Sequence, residues 1–580
     1  MVDLPSNAAL IGGLEFWTED RKPIYEDRLV AKLEAALGRA GIQLFAPPVD
    51  PDDPSAPVSG IWAWEFPEWF LAQYEDESRA REGIRSRPLI PAAYLVKGKY
   101  ETRDRKKHAV VPVRFVQACV NGHLSDIDWR GFIHGAEACG ARGFWLDERG
   151  TGGELVDVLA RCDCRKVKSL ADATLGSGRD APLGWCKGER PWLGKGAAEG
   201  CDQWNRLLVR SASNAYFPQV LSVISIPDPG AALRAAVDRV YQDDLQYAES
   251  IEDIRRERKK QKIHNALEGF SDEAVWADVQ RRKGGHAPEQ RSVKQAEIEM
   301  LLASPAALGD ARPEGIFHAR TVTLDPASRF AAHLDRLVRV DRLREVTAQV
   351  GFTRFESVSP DPQGELNLEV RRAPLAREAT WLPAVENRGE GVFLSFRGQA
   401  VRAWEKRPAV RARGDQFIRG FQAWQRNHHT ARGAFAGLPY VMLHTLSHLL
   451  IQAVVLDCGY SASSIRERIY AVGDRFGVLL HTGTPDAEGT LGGLVQVTRR
   501  IEHHLLHAIE LGRLCSNDPV CAQHAPDQIL EERFLHGAAC HGCALIAEPS
   551  CERRNELLDR ALVVPTVDTE DCAFFADLAA

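Results

Sequence analysis

The spacing of the cysteines is the sequence feature that most restricts how this chain can fold. The chain has 580 residues and 13 cysteines, and near its end Cys540-x2-Cys543 lies close to Cys515, Cys521 and Cys551. Two cysteines two residues apart can hold one metal ion while loop amides stabilise the thiolates. A structural zinc site needs four ligands in a tetrahedron. The spacing therefore predicts zinc on Cys521, Cys540, Cys543 and Cys551, with Cys515 as the alternative first ligand.

Redox chemistry and buried, unreactive thiols are the competing interpretations of this segment. A thioredoxin-like Cys-x-x-Cys lies between a strand and a helix of a βαβ unit. No such unit is evident here, and further cysteines flank the pair. Structural zinc is the favoured interpretation.

A second concentration of cysteines lies in a glycine-rich stretch with little periodicity, at 119–201. Its spacing is typical of the two arms of a zinc ribbon and predicts a site on Cys162, Cys164, Cys186 and Cys201. Cys119-x3-His123 and His134-x4-Cys139 also have the spacing of ligand pairs. They are a weaker candidate, because a histidine can equally be a hydrogen-bonded core residue.

Composition restricts the compartment and the way in which any nucleic acid could be bound. The formal net charge is −7, so any binding of nucleic acid must use a local basic patch. Two patches are candidates, one at 97–107 and one at 255–262 with further basic residues at 281–283. No leader of basic and then apolar residues is seen, and the apolar stretch 441–456 is too short to span a bilayer. We expect a cytoplasmic protein without a membrane segment, whose cysteines are not in disulfides.

Motifs for catalysis are incomplete. The nearest approach to a phosphate-binding loop, 188–197, has its glycines one residue too far apart and a glycine in place of the hydroxyl residue. His444 and His448 have metalloprotease-like spacing, but Thr445 stands where the glutamate would be. We therefore expect no enzyme. The alternative is a metal-dependent nuclease or hydrolase using His444 and His448, or His123 with Asp126 and Asp128.

The chain is expected to be a multidomain protein of mixed α/β (α+β) class. Helical periodicity at 27–40 and strand-like runs at 110–120, 366–372, 391–396 and 477–482 indicate both element types. The predicted regions are an N-terminal α/β region (1–110), a zinc-ribbon-like region (111–230), a charged helical arm (231–317), a mixed α/β region (318–414) and a C-terminal zinc-binding domain (415–580).

Several segments, in order, resemble a known family. The segment 535–564, which contains Asn555 and the Leu558-Asp559-Arg560 run, is similar to the cysteine-bearing terminal domain of MrfA-like helicases. The chain as a whole resembles the DrmB family, a core component of the DISARM bacterial anti-phage systems. The segments that carry this resemblance read VPVRFVQACVNGHLSDIDWRGFIHG, SNAYFP, GFTRFE, WLPAVENRGEGVFL and LPYVMLHTLSHLLIQ.

The resemblance implies a non-catalytic subunit that pairs with a DrmA-like superfamily 2 helicase and engages DNA with it. It also implies that Cys540, Cys543 and Cys551 match the zinc ligands of the family's helicase-associated terminal domain. Cys521 or Cys515 would be the fourth ligand. The chain departs from the family at 66–75, where a cysteine pair common in other members is missing. This disfavours a zinc site at those positions.

Overall fold

A computed structural model gives the structure of the chain. It describes all residues except 5–6, 19, 50–54, 56–59, 77–82, 151–152, 176–179, 228–230, 242, 284–290, 304–306, 310–314, 359, 368–369, 429–432, 484–492, 532 and 579–580. It also leaves out the side chains of 3, 231–232, 234–235, 281–283, 307–308 and 458.

Helices and strands both occur throughout, so the prediction of a multidomain α+β protein is confirmed. The described strands are Val2–Leu4, Asn7–Ile11, Pro23–Ile24, Gln43–Phe45, Ala63–Glu65, Trp69–Ala72, Ile84–Pro91, Tyr100–Glu101, Lys107–His108, Val110–Pro112, Phe115–Ala118, Leu124–Ser125, Phe144–Arg149, Val158–Cys162, Val167–Ser169, Arg206–Val209, Phe217–Ile224, Ala307–Gly309, His318–Val322, Leu334–Thr353, Trp381–Phe396, Ile465–Val472 and Arg475–Thr482. The described α-helices are Asp27–Leu37, Trp129–His134, Ala231–Tyr241, Ile251–Glu257, Gln261–Ala266, Asp272–Lys283, Val293–Ala303, Gly398–Glu405, Pro408–Asn427, Leu438–Cys458, Gly493–Val497, Ile501–Arg513 and Val520–Gln523.

A large central sheet organises the second half of the chain. Its longest strands, Leu334–Thr353 and Trp381–Phe396, pair antiparallel, and among the described residues the sheet has nine strands. Trp381–Phe396 is buried along almost its whole length, which is typical of a strand covered on both faces. The predicted strands at 391–396 and 477–482 both lie in this sheet.

The predicted strand at 366–372 does not form in its described residues, 366–367 and 370–372. The preceding residue, Glu365, accepts hydrogen bonds from Lys32 Nζ at 2.7 Å and from the Val293 amide at 2.8 Å. The chain here contacts the helices Asp27–Leu37 and Val293–Ala303 rather than a strand partner.

One helix, Leu438–Cys458, runs through the largest apolar core and is called the core helix below. Proline follows its first residue, and Gly459, in the left-handed region at φ 71°, ends it. By length and composition it could cross a membrane, but 89% of its most apolar window is buried inside the protein. Its apolar character is therefore explained by contacts such as those with Trp404, Phe417 and Val478.

Two of the smaller sheets in the N-terminal half share one strand-like segment, residues 110–120. The predicted strand at 110–120 is in fact two strands. Val110–Pro112 joins a six-stranded sheet by pairing with Trp69–Ala72, whereas Phe115–Ala118 pairs with Arg206–Val209 in a three-stranded sheet. These strand counts refer to the described residues. The change of sheet places Cys119, the next residue, at the end of the second strand.

Helices dominate 231–303, within the region 231–317 that is predicted as a charged helical arm. This helical arm attaches to the central sheet through Val293–Ala303, whose Glu297 side chain is 1% exposed. Glu297 accepts hydrogen bonds from Arg468 Nε at 2.6 Å and from the Ile224 amide at 2.9 Å. Lys294, on the same helix, forms an ion pair of 2.6 Å with Glu552.

Candidate metal centres

Three cysteine-rich groups bring together most of the residues that the sequence singles out. In each group the four candidate ligand atoms lie within 4.8 Å of one another. We call them the knuckle group (Cys515, Cys521, Cys540, Cys543), the first ribbon group (Cys119, His123, Cys186, Cys201) and the second ribbon group (His134, Cys139, Cys162, Cys164).

The knuckle group gathers four sulfur atoms from three short segments. Cys515 follows the helix Ile501–Arg513, Cys521 lies in the helix Val520–Gln523, and Cys540 and Cys543 share a turn. The Sγ–Sγ distances are 3.4 Å for Cys515–Cys540 and 3.8 Å for both Cys521–Cys543 and Cys540–Cys543. These are separations suited to four thiolates around one tetrahedral ion with bonds of about 2.3 Å.

Backbone amides around the knuckle group favour thiolates over thiols. The amides of Asn517 and Gly542 donate to Cys515 Sγ at 3.4 Å and to Cys540 Sγ at 3.3 Å. The hydrogen bond between Cys521 and Cys543 lowers the pKa of Cys521 to about 5 and raises the pKa of Cys543. Donors aimed at sulfur stabilise the charged form that binds metal.

Cys551 does not join the knuckle group, although the spacing placed it there. Its sulfur lies 3.1 Å from His444 Nε2 on the core helix. Cys515, the alternative named from the sequence, occupies the fourth position. The reason is local: Cys543 begins an apolar segment whose Ala544 carbonyl lies 2.7 Å from His448 Nδ1, and this contact directs the following chain toward the core helix.

The first ribbon group combines the Cys119-x3-His123 pair with Cys186 and Cys201. Cys119 Sγ lies 3.3 Å from His123 Nδ1 and 3.9 Å from Cys201 Sγ. A hydrogen bond from Cys186 lowers the pKa of Cys119 to about 4 and raises that of Cys186. His123 Nε2 lies 2.8 Å from a Glu199 carboxylate oxygen, an arrangement that fixes the tautomer of a metal-binding histidine.

The second ribbon group combines the His134-x4-Cys139 pair with Cys162 and Cys164. Cys139 and Cys162 have their sulfurs 3.9 Å apart, and Cys164 Sγ lies 3.9 Å from His134 Nε2. Burial raises the pKa of Cys162 to about 11, whereas a backbone hydrogen bond from Lys166 lowers that of Cys164. The donor set, three sulfurs and one imidazole nitrogen, again fits zinc.

The structure thus separates the four cysteines that the spacing placed in one ribbon site. Antiparallel pairing of Phe144–Arg149 with Val158–Cys162 sets Phe144 opposite Cys162 and brings this hairpin to Cys139. Pairing of Ala118 with Arg206 brings Cys119 beside the segment that carries Cys201. Strand register therefore decides which pairs meet.

The acidic residues of the alternative hydrolase site have other contacts. Asp128 caps the helix Trp129–His134 by accepting from the Gly131 amide at 3.0 Å. Asp126 accepts from the Glu68 amide at 3.0 Å, and burial raises its pKa to about 7. Neither carboxylate belongs to the first ribbon group that contains His123.

Comparisons with known proteins agree with this geometry. Residues 446–544 match the MrfA Zn-binding domain, and residues 1–217 match a domain of unknown function (DUF8724). The chain is 30% identical to the DISARM protein DrmB of Bacillus paralicheniformis, and the alignment covers 100% of both chains. The chain belongs to the DrmB family. It is a component of DISARM defence, and structural zinc is its cofactor.

The match to the MrfA Zn-binding domain ends at 544, just after the knuckle group. It includes all four knuckle cysteines, and it excludes Cys551 and His444. Zinc held by four thiolates would cross-link the three segments of the knuckle without an open coordination position.

Proposed function

We propose that this DrmB-family chain is a non-catalytic, cytoplasmic subunit that pairs with a DrmA-like superfamily 2 helicase and helps it bind DNA. The observation that carries the DNA-binding part is an exposed hairpin of uncompensated cations, which we call the basic hairpin (residues 96–108). The zinc centres would keep the loop-rich regions rigid, with the ligand sets described above.

The basic hairpin projects from the N-terminal half. Its strands Tyr100–Glu101 and Lys107–His108 pair antiparallel, and Thr102 Oγ1 donates to the Lys106 carbonyl at 3.1 Å. Tyr74 packs on His108 with ring centroids 5.0 Å apart. The hairpin is therefore an ordered element and suits the presentation of charge to a phosphate backbone.

Four of its cations face solvent without a carboxylate partner within 4.0 Å among the described residues: Lys97, Lys99, Arg103 and Arg105. Two others are paired, Lys106 with Asp104 at 3.2 Å and Lys107 with Glu101 at 3.7 Å. Free cations at the surface are the groups that release counterions when they bind phosphate.

The basic run of the helical arm differs because acids of the arm neutralise it. Arg256 pairs with Asp253 at 2.5 Å, and Lys260 pairs with Glu257 at 2.5 Å. Arg255 contacts three carboxylates, and Lys262 pairs with Asp243 at 3.3 Å. This supports a solvated, self-paired surface for 255–262. The side chains of 281–283 lie outside the described residues.

Burial supports the non-catalytic part of the proposal. The side chains of His444 and His448, the best candidates for a hydrolytic metal, are 0% exposed. A substrate phosphate cannot reach them without opening of the core. In the ribbon and knuckle groups, four protein ligands would complete the coordination of zinc, which is typical of structural sites.

DNA binding is tested by the salt dependence of affinity. The helicase complex is purified with wild-type chain or with Lys97, Lys99, Arg103 and Arg105 changed to glutamine, and duplex binding is followed by fluorescence anisotropy. Each lost phosphate contact lowers the slope of log K against log salt by about 0.9, so four contacts lower it by up to roughly 3.6.

The matched control removes the same number of charges from the arm, with Arg255, Arg256, Lys260 and Lys262 changed to glutamine. We expect its slope to stay near the wild-type value. Equal slopes in all three complexes would contradict the assignment of the hairpin to DNA. Failure of the chain to co-purify with a co-expressed DrmA-like helicase would contradict the pairing itself.

A further inference from the structure

A fourth group, the histidine group, lies inside the C-terminal half and consists of His444, His448, Glu467 and Cys551. The two histidines are one turn apart on the core helix, and Glu467 lies on the strand Ile465–Val472. Their four ligand atoms lie within 4.8 Å of one another. Glu467 Oε1 is 2.9 Å from His444 Nε2 and 3.3 Å from His448 Nε2, and both imidazole side chains are fully buried.

Hydrogen-bond partners fix the tautomer of both histidines. His444 Nδ1 lies 3.2 Å from the Leu557 carbonyl oxygen, and His448 Nδ1 lies 2.7 Å from that of Ala544. A carbonyl oxygen can only accept, so each Nδ1 carries the proton. In a neutral ring the Nε2 is then a bare lone pair. Both lone pairs point at a carboxylate, which is itself an acceptor.

Cys551 adds another acceptor to the same space. Its sulfur receives the amides of Arg553 at 3.3 Å and Asn555 at 3.1 Å, the contacts that stabilise a thiolate. Glu467 is likewise supplied with donors, since Ser447 Oγ and the Glu552 amide both donate to it. Two neutral imidazoles, a carboxylate and a thiolate carry a charge of −2, which a divalent cation neutralises.

We infer that these four side chains hold a second buried metal ion in the C-terminal half, a divalent ion with the tetrahedral N2OS preference of zinc. Imidazole nitrogen, carboxylate oxygen and thiolate sulfur are all zinc ligands. The Nδ1–H contacts to backbone carbonyls are the outer contacts that orient metal-binding histidines. Binding releases the Cys551 thiol proton to solvent.

An imidazolium–carboxylate network is the competing explanation. It requires at least one charged ring in a core where no side chain of the pair is exposed, and a buried charge is costly unless it is fully paired. The Cys551 thiol could donate one proton to His444 Nε2. This leaves His448 Nε2 and Glu467 as facing acceptors at 3.3 Å. A bound cation would instead pair with all four acceptor atoms, so that no two acceptors would face each other without a partner.

The site would join three parts of the protein. It connects the core helix, the central sheet and the segment after the knuckle. Its neighbour Glu552 extends the connection, because Glu552 Oε1 accepts from Lys294 of the helical arm at 2.6 Å and Oε2 accepts from the Ile469 amide at 3.2 Å. The inference does not depend on the helicase or on DNA.

Metal content of the purified full-length chain tests the inference. Zinc per chain is measured by mass spectrometry for wild type and for the double variant E467Q/C551S, which removes two of the four ligands. We expect the double variant to lose one zinc per chain. The matched control is C572S, which alters another buried cysteine of the C-terminal half outside all four groups and should keep the wild-type count.

An unchanged zinc count in a folded double variant would overturn the inference. If that variant does not fold, the wild-type protein decides the question by X-ray absorption at the zinc edge. The three cysteine-rich groups alone give ten sulfur ligands in twelve, whereas all four groups give eleven in sixteen. A measured sulfur fraction of ten in twelve, on protein whose three cysteine-rich groups are filled, would also overturn the inference.

Discussion

Replacing Asp559 by alanine removes the anchor that positions the segment after the zinc knuckle. Asp559 is 0% exposed and accepts from Arg413 Nε at 2.7 Å and from the Ala538 and Ala561 amides at 3.0 Å each. Its own amide donates to Thr445 Oγ1 of the core helix at 2.9 Å. One carboxylate therefore joins the helix Pro408–Asn427 to the turn that leads into Cys540.

The loss of stability depends on the group that loses its partner when Asp559 is replaced. The Arg413 side chain is 9% exposed, so alanine at 559 leaves a buried guanidinium without its counter-charge. Breaking a buried pair in this way costs about 3–5 kcal/mol. Asparagine keeps an oxygen for the two amides and loses only the charge, so Asp559→Asn should cost less, about 1.5–3 kcal/mol.

Hydrogen exchange read by mass spectrometry is the suitable assay, because a chain with several domains has no single unfolding free energy. In peptides that cover 533–564, a loss of 3–5 kcal/mol speeds exchange by about two to three and a half powers of ten. The matched control is Asp527→Ala, which breaks an exposed pair with Arg419 on the same helix and should cost about 0–1 kcal/mol. Equal effects of Asp559→Ala and Asp527→Ala would refute the reasoning.

Two further predictions concern the same half of the protein. Cys540→Ser combined with Cys543→Ser should release one zinc and unfold the knuckle, because zinc binding supplies folding free energy; thermal melting that matches the Cys572→Ser control would contradict this. Burial lowers the pKa of His536 to about 4 while Nε2 donates to the Asn555 carbonyl at 2.7 Å. Its folded-state pKa lies below the unfolded value, so its contribution is complete above about pH 6.5. It is lost as the pH falls toward 4, by roughly 3 kcal/mol at most. His536→Gln should flatten this part of the stability–pH curve relative to wild type, and identical curves would exclude the effect.

Local patterns in the sequence predict where helices and strands form better than they predict which strands pair with each other. The helical period at 27–40 corresponds to Asp27–Leu37, which ends at Gly38 with φ 62°, a conformation that glycine adopts without strain. The run at 110–120 is predicted as one strand because apolar and β-branched residues predominate in both of its halves. Side-chain periodicity has no signal for a change of sheet at Val113 and Arg114. That change depends on the distant partners Trp69–Ala72 and Arg206–Val209.

The same limit applies to the histidine group. His444 and His448 are visible as a helical pair, but Glu467 lies nineteen residues beyond His448 on a strand, with no local pattern to mark it. Cys551 resembles a knuckle ligand because it lies eight residues after Cys543. Its assignment depends on the Ala544 carbonyl, which contacts the core helix and separates the two cysteines in space.

The ribbon groups show which part of a metal site is local. Some ligands are neighbours in the sequence, so their spacing predicts that they lie together. These are Cys119 with His123 and Cys162 with Cys164. The other two ligands of each group are brought in by the pairing of strands. A shift of two residues in the pairing of Phe144–Arg149 with Val158–Cys162 would move Cys162 by about 7 Å. That is more than the 4.8 Å within which all four ligand atoms lie. Ligand spacing alone therefore identifies half-sites, and the antiparallel registers of Phe144 with Cys162 and of Ala118 with Arg206 decide how those half-sites combine.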